Sequence, residues 1–460
     1  MIVTIMNHDF IDRENELELI NQLTTKETPS LLLLYGRRRI GKTRLIQEII
    51  ENKNGTYFYT PNSEEKNILA EYSRTIEHEY FQGFQFNNFN AFLNYLDTKL
   101  QTKNIIAIDE FQRLANIDGA ISQLQRQWDQ KLSKGKGQLI LSGSSIGAMH
   151  KIALNGDAPL YGRRTATIKL TPLKYRDLKK WFTNHNPEEQ VKIYGSFGGT
   201  PAYLEYIDEK QDIDTNIITK ILQKNAPLYN EPETLLMEEL RAPQRYMDIL
   251  TAIAQGRNKI TEISNNTGIN RENISTYLKT LETLDLTERI VPITEPKAKK
   301  GIYKIKDPFF QFWFRFVRPN KRQLELGLED NIWTSIKEDF NQHLGSIFED
   351  TCREIIAELG KKNQLPIRLD RVGRWWKKDT EIDILGFEKR GKTLIIEVKW
   401  STLSYRDCKR ILNELSVKTS QVPDVEEPIL GVMAKQINDK EKIREDGFWA
   451  MDLNDLLNSR

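Results

Sequence analysis

Hydrophobic and polar positions follow two different periods along the first third of the chain. Apolar residues recur at helical spacing from Glu14 to Leu23, and a short run of apolar residues follows from Leu31 to Tyr35. Two more apolar runs, Ile105 to Ile108 and Leu139 to Leu141, lie farther along, and a helix is predicted from Lys42 onward. Short strands buried on both faces and separated by helices are typical of a parallel sheet covered by helices.

The pattern changes in the remaining two thirds of the chain. Residues 166–240 are mostly helix-like, residues 241–306 predict two helices and a β-hairpin, and residues 307–340 are rich in aromatic residues and end in a polar linker. Residues 341–460 return to alternating helices and strands and predict a second α/β unit. Because domains usually hold about 100–200 residues, a chain of 460 residues is expected to contain several of them.

Composition narrows the class of protein. The 67 basic and 65 acidic residues give a net charge of +2, so any nucleic-acid-binding surface is expected to be local. Cys352 and Cys408 lie far apart without a C-x-x-C partner, which disfavours a disulfide scaffold or a zinc finger. Met1 to Asp12 lacks the apolar stretch of a signal peptide, and Leu31 to Leu34 is much shorter than the roughly 20 residues that cross a bilayer. We expect a cytoplasmic protein without a membrane segment.

A glycine-rich motif of the form G-x-x-x-x-G-K-[ST] lies between the first predicted strand and the next helix. Its glycines let backbone N–H groups surround phosphates, and the helix N-terminus adds a positive dipole end. Lys42 is expected to reach the β and γ phosphates of ATP, and Thr43 to bind Mg²⁺. The residues predicted to hold the nucleotide in this motif are Gly36, Arg37, Arg38, Arg39, Ile40, Gly41, Lys42, Thr43 and Arg44.

Two carboxylates follow the apolar run at Ile105 to Ile108. Asp109 is expected to hold Mg²⁺, directly or through water, and Glu110 to polarise the attacking water as a general base. The carboxyl ends of parallel strands are the ligand-binding edge of such a sheet, which supports this interpretation. The alternative is that the pair merely caps a solvated helix.

Other polar side chains after the third strand are weaker candidates. Ser142 or Ser144 is expected to sense the γ-phosphate, with ordinary turn chemistry as the alternative. Arg163 and Arg164 are candidates to stabilise transition-state charge, in their own subunit or in a neighbouring one. A surface ion pair is the alternative role for these arginines.

Residues 241–306 predict a winged helix-turn-helix. A helix from Asn258 to Thr267 is closed by Gly268, and Asn270 is expected to cap a second helix. Twelve basic and seven acidic residues give this segment a net charge of +5, which suits DNA binding by a recognition helix and a basic wing. The alternative is an internal lid or protein-contact module. The residues expected off the apolar stripe of the second helix are Arg271, Asn273, Thr276 and Lys279, and the wing-tip residues are Lys297, Lys299 and Lys300.

An ordered series of acids and a lysine occurs near the C-terminus. Asp383 lies on one predicted strand, and Glu397 and Lys399 share one face of the next, because side chains alternate across a strand. Glu349 lies on the predicted helix His343 to Leu359. Carboxylates that hold Mg²⁺ beside a lysine suit hydrolysis of a phosphodiester. This series resembles the PD-(D/E)xK nuclease superfamily, and the alternatives are an inactive relic of that fold or an ion-paired sheet face.

Beside this series, Trp375, Trp376, Lys377 and Lys378 suggest stacking on bases and contacts to phosphates. The alternative is that the tryptophans belong to the core and the lysines to a solvated turn.

Four segments together resemble the archaeal-type ATPases of the STAND and AAA+ classes. They are the adenine-side box Phe10 to Leu17 with Arg13, the run Asp109 to Gln112, the run Tyr161 to Arg164, and the run Gly198 to Tyr203 with Pro201. The resemblance implies nucleotide contacts by Arg13 and by the lid residue Pro201. It also implies an ATP/ADP-controlled switch, an ATP-dependent homo-oligomer, a winged helix and a C-terminal nuclease-like domain.

The expected fold is therefore α/β, with a P-loop parallel sheet, a helical lid, a winged helix and a restriction-endonuclease-like domain. The predicted segments are the ATPase core 1–165, the lid 166–240, the winged helix 241–306, the helical linker 307–340 and the nuclease-like domain 341–460. We expect an ATPase that switches its action on DNA, with the C-terminal domain as a candidate metal-dependent nuclease. The alternative functions are a regulatory ATPase that does not cut DNA and, less in keeping with the extra domains, a small-molecule kinase.

Overall fold

The computed structural model describes residues 11–51, 53, 55–298 and 301–458. Phe10 of the adenine-side box and the wing-tip residues Lys299 and Lys300 lie outside the described residues. The chain divides into two units. The first unit comprises the chain up to Leu173 together with Thr200–Ala202, and the second comprises Lys174–Gly199 and the chain from Tyr203 onward.

Among its described residues, the first unit contains five strands and six complete helices. The strands are β1 (Ser30–Tyr35), β2 (Gly55–Tyr59), β3 (Ile105–Asp109), β4 (Gln138–Gly143) and β5 (Ala166–Lys169). The helices are α1 (Glu14–Thr25), α2 (Lys42–Glu51), α3 (Glu65–Ile76), α4 (Phe89–Leu100), α5 (Ala120–Gln130) and α6 (Ile146–Met149). Short 3₁₀ or π-helical segments are Glu77–Glu79, Phe111–Asn116, Leu132–Lys134 and His150–Leu154.

The five strands are parallel and lie in the order β2-β3-β4-β1-β5. Alternate residues of β1 enter two different hydrophobic clusters: Leu33 packs with Phe58 and Phe92, whereas Leu34 packs with Leu45. Each face of the sheet is therefore buried, which is why the central strands contain no polar alternation. The predicted parallel sheet is confirmed, with the carboxyl ends of β1, β3 and β4 directly before the polar motifs.

Two strands of this sheet were not predicted from the sequence. The edge strand β2 pairs with β3, and the edge strand β5 pairs with β1 through Leu33 and Thr167. β5 lies within residues 166–240, which were expected to be mostly helical, and the first unit continues to Leu173, past the predicted boundary at 165/166. Only Ile168 of the four β5 residues is buried, and such a short, half-exposed strand leaves no apolar run to detect.

The second unit contains the remaining elements. Its helices are α7 (Leu178–Trp181), α8 (Pro187–Phe197), α9 (Pro201–Leu204, which begins in the first unit), α10 (Ile213–Ile217), α11 (Glu231–Glu239), α12 (Pro243–Ala254), α13 (Ile260–Thr267), α14 (Arg271–Thr283), α15 (Pro308–Phe312), α16 (Lys321–Leu324), α17 (Glu329–Lys361), α18 (Tyr405–Thr419), α19 (Lys440–Glu445) and α20 (Leu453–Asn458). Its strands are β6 (Thr287–Ile290), β7 (Ile302–Ile305), β8 (Leu369–Lys377), β9 (Thr380–Glu388), β10 (Thr393–Leu403), β11 (Pro428–Ile437) and β12 (Trp449–Asp452). Short 3₁₀ or π-helical segments are Tyr175–Asp177, Ile218–Leu222, Trp313–Val317 and Arg318–Asn320.

The C-terminal sheet is mixed, in the order β12-β11-β10-β9-β8. β10 pairs with β9 in the antiparallel direction and with β11 in the parallel direction, and β8 is an edge strand. The predicted α/β unit at the C-terminus is thus confirmed as a mixed sheet. The winged-helix hairpin, β6 and β7, forms a separate antiparallel pair.

The segment predicted as a linker is part of the buried core. Phe309, Phe310 and Trp313 are fully buried, and α17 runs without a break across the predicted boundary at 340/341. The polar residues taken for a linker form the exposed side of the first turns of α17, which also carry buried Ile332 and Ile336. A helix that is buried on one side keeps polar residues on the other, so polarity alone did not mark a domain boundary.

No helix within the described part of the chain combines the length and the apolar character needed to cross a bilayer. Both cysteines, Cys352 and Cys408, are buried and are not joined in a disulfide.

Candidate functional site

The glycine-rich motif forms the turn between β1 and α2. Gly36 has a φ of +154°, and a Cβ atom at this position would lie 2.3 Å from the carbonyl oxygen of Leu170, so only glycine fits. Gly41 has a φ of +92°, which disfavours any side chain. The chain therefore bends directly from a buried strand into a helix N-terminus, the geometry that stabilises a bound phosphate.

The side chain of Lys42 is held against this turn. Its Nζ donates to the carbonyl oxygens of Gly36 at 2.9 Å and Arg37 at 2.7 Å, and the residue is 5% exposed. A lysine ammonium is a donor only, so the turn presents it to acceptors such as phosphate oxygens. The predicted P-loop lysine thus lies at the predicted phosphate-binding turn.

Asp109 lies at the carboxyl end of β3 and joins two strands and a helix. Its Oδ2 accepts hydrogen bonds from Thr43 Oγ1 at 2.7 Å and from Tyr57 Oη at 2.9 Å, and the residue is 2% exposed. Thr43 and Asp109, which were predicted to share a metal, are therefore adjacent. A hydroxyl and a carboxylate are hard oxygen donors of the kind that fits Mg²⁺ with additional water ligands.

Sequence reasoning missed Tyr57. Burial and the charge of Asp109 raise the pKa of Tyr57 well above its ordinary value, so the phenol stays a hydrogen-bond donor. The run Tyr57 to Tyr59, which has high strand propensity, is the signal that could have revealed β2. Strand propensity alone does not say which carboxylate the hydroxyl meets.

Glu110 is fixed by neutral donors on either side. Its Oε2 accepts from Gln112 Nε2 at 2.7 Å and from Ser144 Oγ at 2.8 Å, and Arg113 Nη2 lies 3.5 Å from the same oxygen. The residue has a φ of +53°, an unfavourable backbone conformation that turns it out of the strand. Ser144, expected at the γ-phosphate, here donates to Glu110, whereas the hydroxyl of Ser142 is buried without a hydrogen-bond partner among the described residues.

The two candidate arginines after β4 have partners within the first unit. Arg163 forms a two-point ion pair with Asp129, with Nε–Oδ1 and Nη2–Oδ2 both at 2.8 Å. These hydrogen bonds raise the pKa of Arg163. Arg164 donates to the Ala153 carbonyl at 3.1 Å and lies over the ring of Tyr161. For Arg163, the surface ion pair that was the alternative is the arrangement in the structure, and a role at the γ-phosphate stays a prediction.

Residues of the adenine-side box and the lid contact the backbone of the phosphate-binding turn. Arg13 Nη2 donates to the carbonyls of Thr171 at 2.7 Å and Ile40 at 3.4 Å, and Arg13 is 6% exposed. After Pro201, the Ala202 N–H donates to the carbonyl oxygen of Arg39 at 3.4 Å. These contacts support the shape of the turn, and direct nucleotide contact by Arg13 and Pro201 remains a prediction.

The remaining arginines of the turn differ in exposure. Arg37 is buried, Arg38 and Arg39 are exposed, and Arg44 lies 3.6 Å from Glu48 in a half-exposed pair on α2. An exposed pair of this kind contributes little to stability, so it does not fix Arg44, and nucleotide contact by these arginines stays a prediction.

The C-terminal acids and lysine occur together as predicted, but positive side chains surround them. Glu397 accepts from Lys399 Nζ at 2.8 Å and from Lys418 Nζ at 3.0 Å, and Glu349 lies 3.8 Å from Arg374 Nη2. Lys418 was not predicted, because its position on α18 becomes adjacent to Glu397 only when the helix packs on the sheet. The alternative of an ion-paired sheet face therefore describes much of this centre.

Asp383 is the buried member of the centre. Its Oδ2 accepts from the Val398 N–H at 2.8 Å, and burial, together with Glu349 and Glu397, raises its pKa to about 7. The three acids are thus near enough to repel one another, which a cation would relieve. Still, the described residues contain no group of three or more His, Cys, Asp or Glu side chains arranged to hold a metal ion.

The tryptophans beside this centre differ in role. Trp375 is 2% exposed and packs with Ile382 and Leu415, so it belongs to the core. Trp376 is partly exposed and Lys377 and Lys378 are exposed. The alternative reading of Trp375 as a core residue is therefore correct.

The winged helix has the predicted helices with small differences. Gly268 ends α13 with a φ of +70°, as expected, whereas α13 begins at Ile260 rather than at Asn258 and the Asn270 side chain makes no capping hydrogen bond. The residues expected off the apolar stripe are exposed, and they are Arg271, Asn273, Thr276 and Lys279.

The wing itself lies against the edge strand of the C-terminal sheet. The Ile293 N–H donates to the Arg374 carbonyl at 2.9 Å, and Ile293 fills the space above Gly373. Lys304 on β7 forms an ion pair with Asp350 on α17. The wing therefore covers an edge strand, and Lys297 at its tip is exposed.

Two protein families match this chain. An ATPase domain predominantly from Archaea matches residues 10–207, and a family described as archaeal and bacterial proteins of unknown function matches residues 313–411. An uncharacterized protein of Methanocaldococcus jannaschii is 37% identical over 438 residues, which cover 94% of this chain and 97% of that protein. The chain belongs to the same family as this Methanocaldococcus protein, and its residues 10–207 form an ATPase domain of the kind found predominantly in Archaea.

A solved structure supports the fold described above. The Walker-type ATPase of Pyrococcus abyssi is 21% identical, with a TM-score of 0.50 over 66% of this chain and 96% of that chain. A STAND protein with a tetratricopeptide repeat sensor from Pyrococcus horikoshii is 16% identical, with a TM-score of 0.31 over 77% of this chain and 50% of that chain, too low to bear on function. The first unit of the chain therefore has the P-loop fold, while the function of the family that matches residues 313–411 is unknown.

Proposed function

We propose that this protein hydrolyses ATP with Mg²⁺ and uses its nucleotide state to control contact with DNA. The contact between Thr43 Oγ1 and Asp109 Oδ2, 2.7 Å long, supports the catalytic part, because the two residues expected to bind Mg²⁺ are adjacent. Thr43 and Asp109 would hold Mg²⁺, which supplies charge stabilisation to the transferred phosphoryl group.

Each residue around this contact has a separate task. Lys42 pairs with the β and γ phosphates, and the Gly36 turn surrounds them with backbone N–H groups. Glu110 orients the attacking water and accepts its proton at Oε1, since Oε2 is occupied by Ser144 and Gln112. Release of phosphate without an added acceptor distinguishes this activity from that of a small-molecule kinase.

Contact with DNA is supported by the exposed residues of α14. Arg271 and Lys279 lie on the exposed side of a helix that is buried through Ile274, Leu278 and Leu281, as in a recognition helix. Size-exclusion chromatography with ATP, ADP or no nucleotide, with and without duplex DNA, tests both the switch and an ATP-dependent homo-oligomer. An elution profile that never depends on nucleotide would contradict the switch.

Salt dependence gives the DNA contact a quantitative test. Replacing Arg271 and Lys279 by glutamine removes two phosphate contacts and should lower the slope of log affinity against log salt by about 2. Lys192→Gln on α8, where Lys192 pairs with Glu188, is the matched control. Unchanged binding in the double variant would exclude α14 as the DNA-contacting helix.

A second candidate is a regulatory ATPase that binds its partner without cutting DNA. Two observations favour this candidate. The lysine side chains that contact Glu397 would compete with a metal ion for that carboxylate. The wing covers the edge strand β8 and so limits the approach of DNA to it. The first candidate includes the metal-dependent nuclease expected at the C-terminal centre, so Mg²⁺-dependent cutting of plasmid by wild type and by Asp383→Asn separates the two candidates. Asparagine keeps an acceptor for the Val398 N–H, so equal products from both proteins would end the nuclease proposal.

A further inference from the structure

A cavity of about 270 Å³ lies within the second unit, between the winged helix, α17 and β8. Its wall includes side chains from five elements. They are Gln255 directly after α12, Lys304 on β7, Arg315 in the segment Trp313–Val317, His343 and Ser346 on α17, and Arg374 on β8. Three of these side chains are basic, and none of the described residues that form the wall is acidic. A cavity with cationic and neutral polar walls is complementary to an anion.

The acids that pair with these cations lie outside the cavity wall. Lys304 contacts Asp350, and Arg374 Nη2 donates to Glu381 at 3.3 Å, but neither acid lines this cavity. The Nε of Arg374 is buried and has no hydrogen-bond partner among the described residues. A buried guanidinium donor without a partner is unfavourable, so an acceptor within reach of this nitrogen would be stabilising.

The local potential is positive as well. Burial, and then the charges of Arg315 and Lys304, lower the pKa of His343 to about 4 despite its hydrogen bond to the Gly195 carbonyl. Burial, and then Arg353 and Arg374, lower the pKa of Lys304 to about 7. Burial is the largest cause of both shifts, and the neighbouring cations act in the same direction.

We propose that this cavity binds a phosphate-class anion, with Arg315, Lys304 and Arg374 as its cationic contacts and Gln255 at its mouth. Guanidinium groups present paired N–H donors that match phosphate oxygens, and Gln255 adds an exposed amide. The volume is near the lower limit of about 300 Å³ for small-molecule pockets, so a single phosphate group fits better than a whole nucleotide. The anion is either a small free phosphate compound or the terminal phosphate of a nucleic acid.

The site also connects two parts of the second unit. Gln255 and Lys304 belong to the winged helix, whereas Arg374 belongs to β8. The guanidinium group of Arg374 also lies 3.8 Å from Glu349. An anion held by Lys304 and Arg374 would therefore stabilise the wing on β8. The proposal does not depend on nuclease activity, because it uses none of the acids of that centre.

Calorimetric titration of inorganic phosphate into the full chain at low salt tests the site. Lys42→Ala serves as the background, so that the P-loop does not contribute. We expect saturable binding that is weakened at least tenfold by Arg315→Gln, by Arg374→Gln and by Gln255→Asp, the last of which adds repulsion at an exposed position. Arg410→Gln on α18, which pairs with exposed Glu414, is the control. No binding, or equal binding in all variants, would overturn the proposal.

A second titration separates the two sources of phosphate. A short DNA strand with a 5′-phosphate is compared with the same strand lacking it, again in Lys42→Ala. A preference of at least tenfold for the phosphorylated strand that disappears in Gln255→Asp would identify a nucleic-acid end. Equal binding of the two strands, with retained binding of inorganic phosphate, would identify a free phosphate compound. Circular dichroism melting curves establish that each variant is folded.

Discussion

Asp109 in the first unit and Glu397 in the second are both buried strand carboxylates, but they differ in their partners. Asp109 accepts from two hydroxyl groups, those of Thr43 and Tyr57, whereas Glu397 accepts from two ammonium groups, those of Lys399 and Lys418. Neutral donors orient a carboxylate and leave its charge for a cation, while lysines neutralise it. A carboxylate motif therefore predicts a metal site only when the groups that donate hydrogen bonds to the carboxylate are known.

The largest effect is expected on ATP turnover when Glu110, the residue after Asp109, is replaced. Glu110→Gln removes the proton acceptor but keeps the size and the partners of the side chain. ATP turnover should fall about 10³-fold, within the range typical of a general base, with nucleotide affinity nearly unchanged. Phosphate release and equilibrium binding measure the two quantities, and Glu71→Gln, which breaks an exposed pair with Arg74, is the control. Unchanged turnover would remove Glu110 from the catalytic role.

The burial of His343 in the second unit, together with the cations near it, should also appear in the stability of the protein. The folded pKa of His343 is about 4, below the ordinary 6.5, so the unfolded chain binds more protons between pH 6.5 and 4. The contribution of His343 to stability is therefore complete above pH 6.5 and decreases as pH falls, by about 3 kcal/mol in total.

Chemical denaturation of wild type and His343→Gln at several pH values checks this slope. Glutamine keeps a donor for the Gly195 carbonyl but does not titrate, so the difference between the two proteins isolates His343. The raised pKa of Asp383 gives the opposite trend in both proteins and cancels. Identical slopes in the two proteins would show that His343 does not carry the effect.

Removing one of the two lysines that contact Glu397 should make the surroundings of Glu397 more like those of Asp109. In Lys418→Gln the second ammonium is lost, and the affinity of the C-terminal centre for Mn²⁺ should rise about tenfold, or about 1.4 kcal/mol. Calorimetry in a Lys42→Ala background measures this affinity without the nucleotide site. Lys409→Gln on the same helix, where Lys409 pairs with Asp446, is the control. Equal or weaker Mn²⁺ binding would show that Lys418 does not compete with a metal.

Removing the Tyr57 hydroxyl group, which donates to Asp109, should have the smallest effect. When Thr43 turns to the metal, Tyr57 is the side chain that still orients Asp109, so Tyr57→Phe should weaken Mg²⁺ binding in the nucleotide complex about fivefold. Magnesium titration of a fluorescent ATP analogue measures this directly, and nucleotide binding in EDTA should not change. Tyr59→Phe, whose hydroxyl accepts from Arg113 on the surface, is the control. A loss that is equal with and without Mg²⁺ would indicate a structural role instead.

Much of the first unit could be predicted because its determinants are local. The turn from Gly36 to Thr43 specifies its own backbone geometry through its glycines, and apolar runs identify β1, β3 and β4. The edge strands β2 and β5 were missed because they are short and partly exposed. The boundary at 340/341 was placed inside α17 because a polar helix side resembles a linker in sequence.

The sequence by itself determined the phosphate-binding turn, the order of the acidic and basic motifs and the α/β class, because each depends on residues close together in the chain. Only the tertiary structure decided the partners of those motifs: Tyr57 on Asp109, Ser144 on Glu110, Asp129 on Arg163, and Lys418 on Glu397. These pairs join residues from different elements, and the charge balance at a carboxylate is set by which side chains the packing brings within about 3 Å.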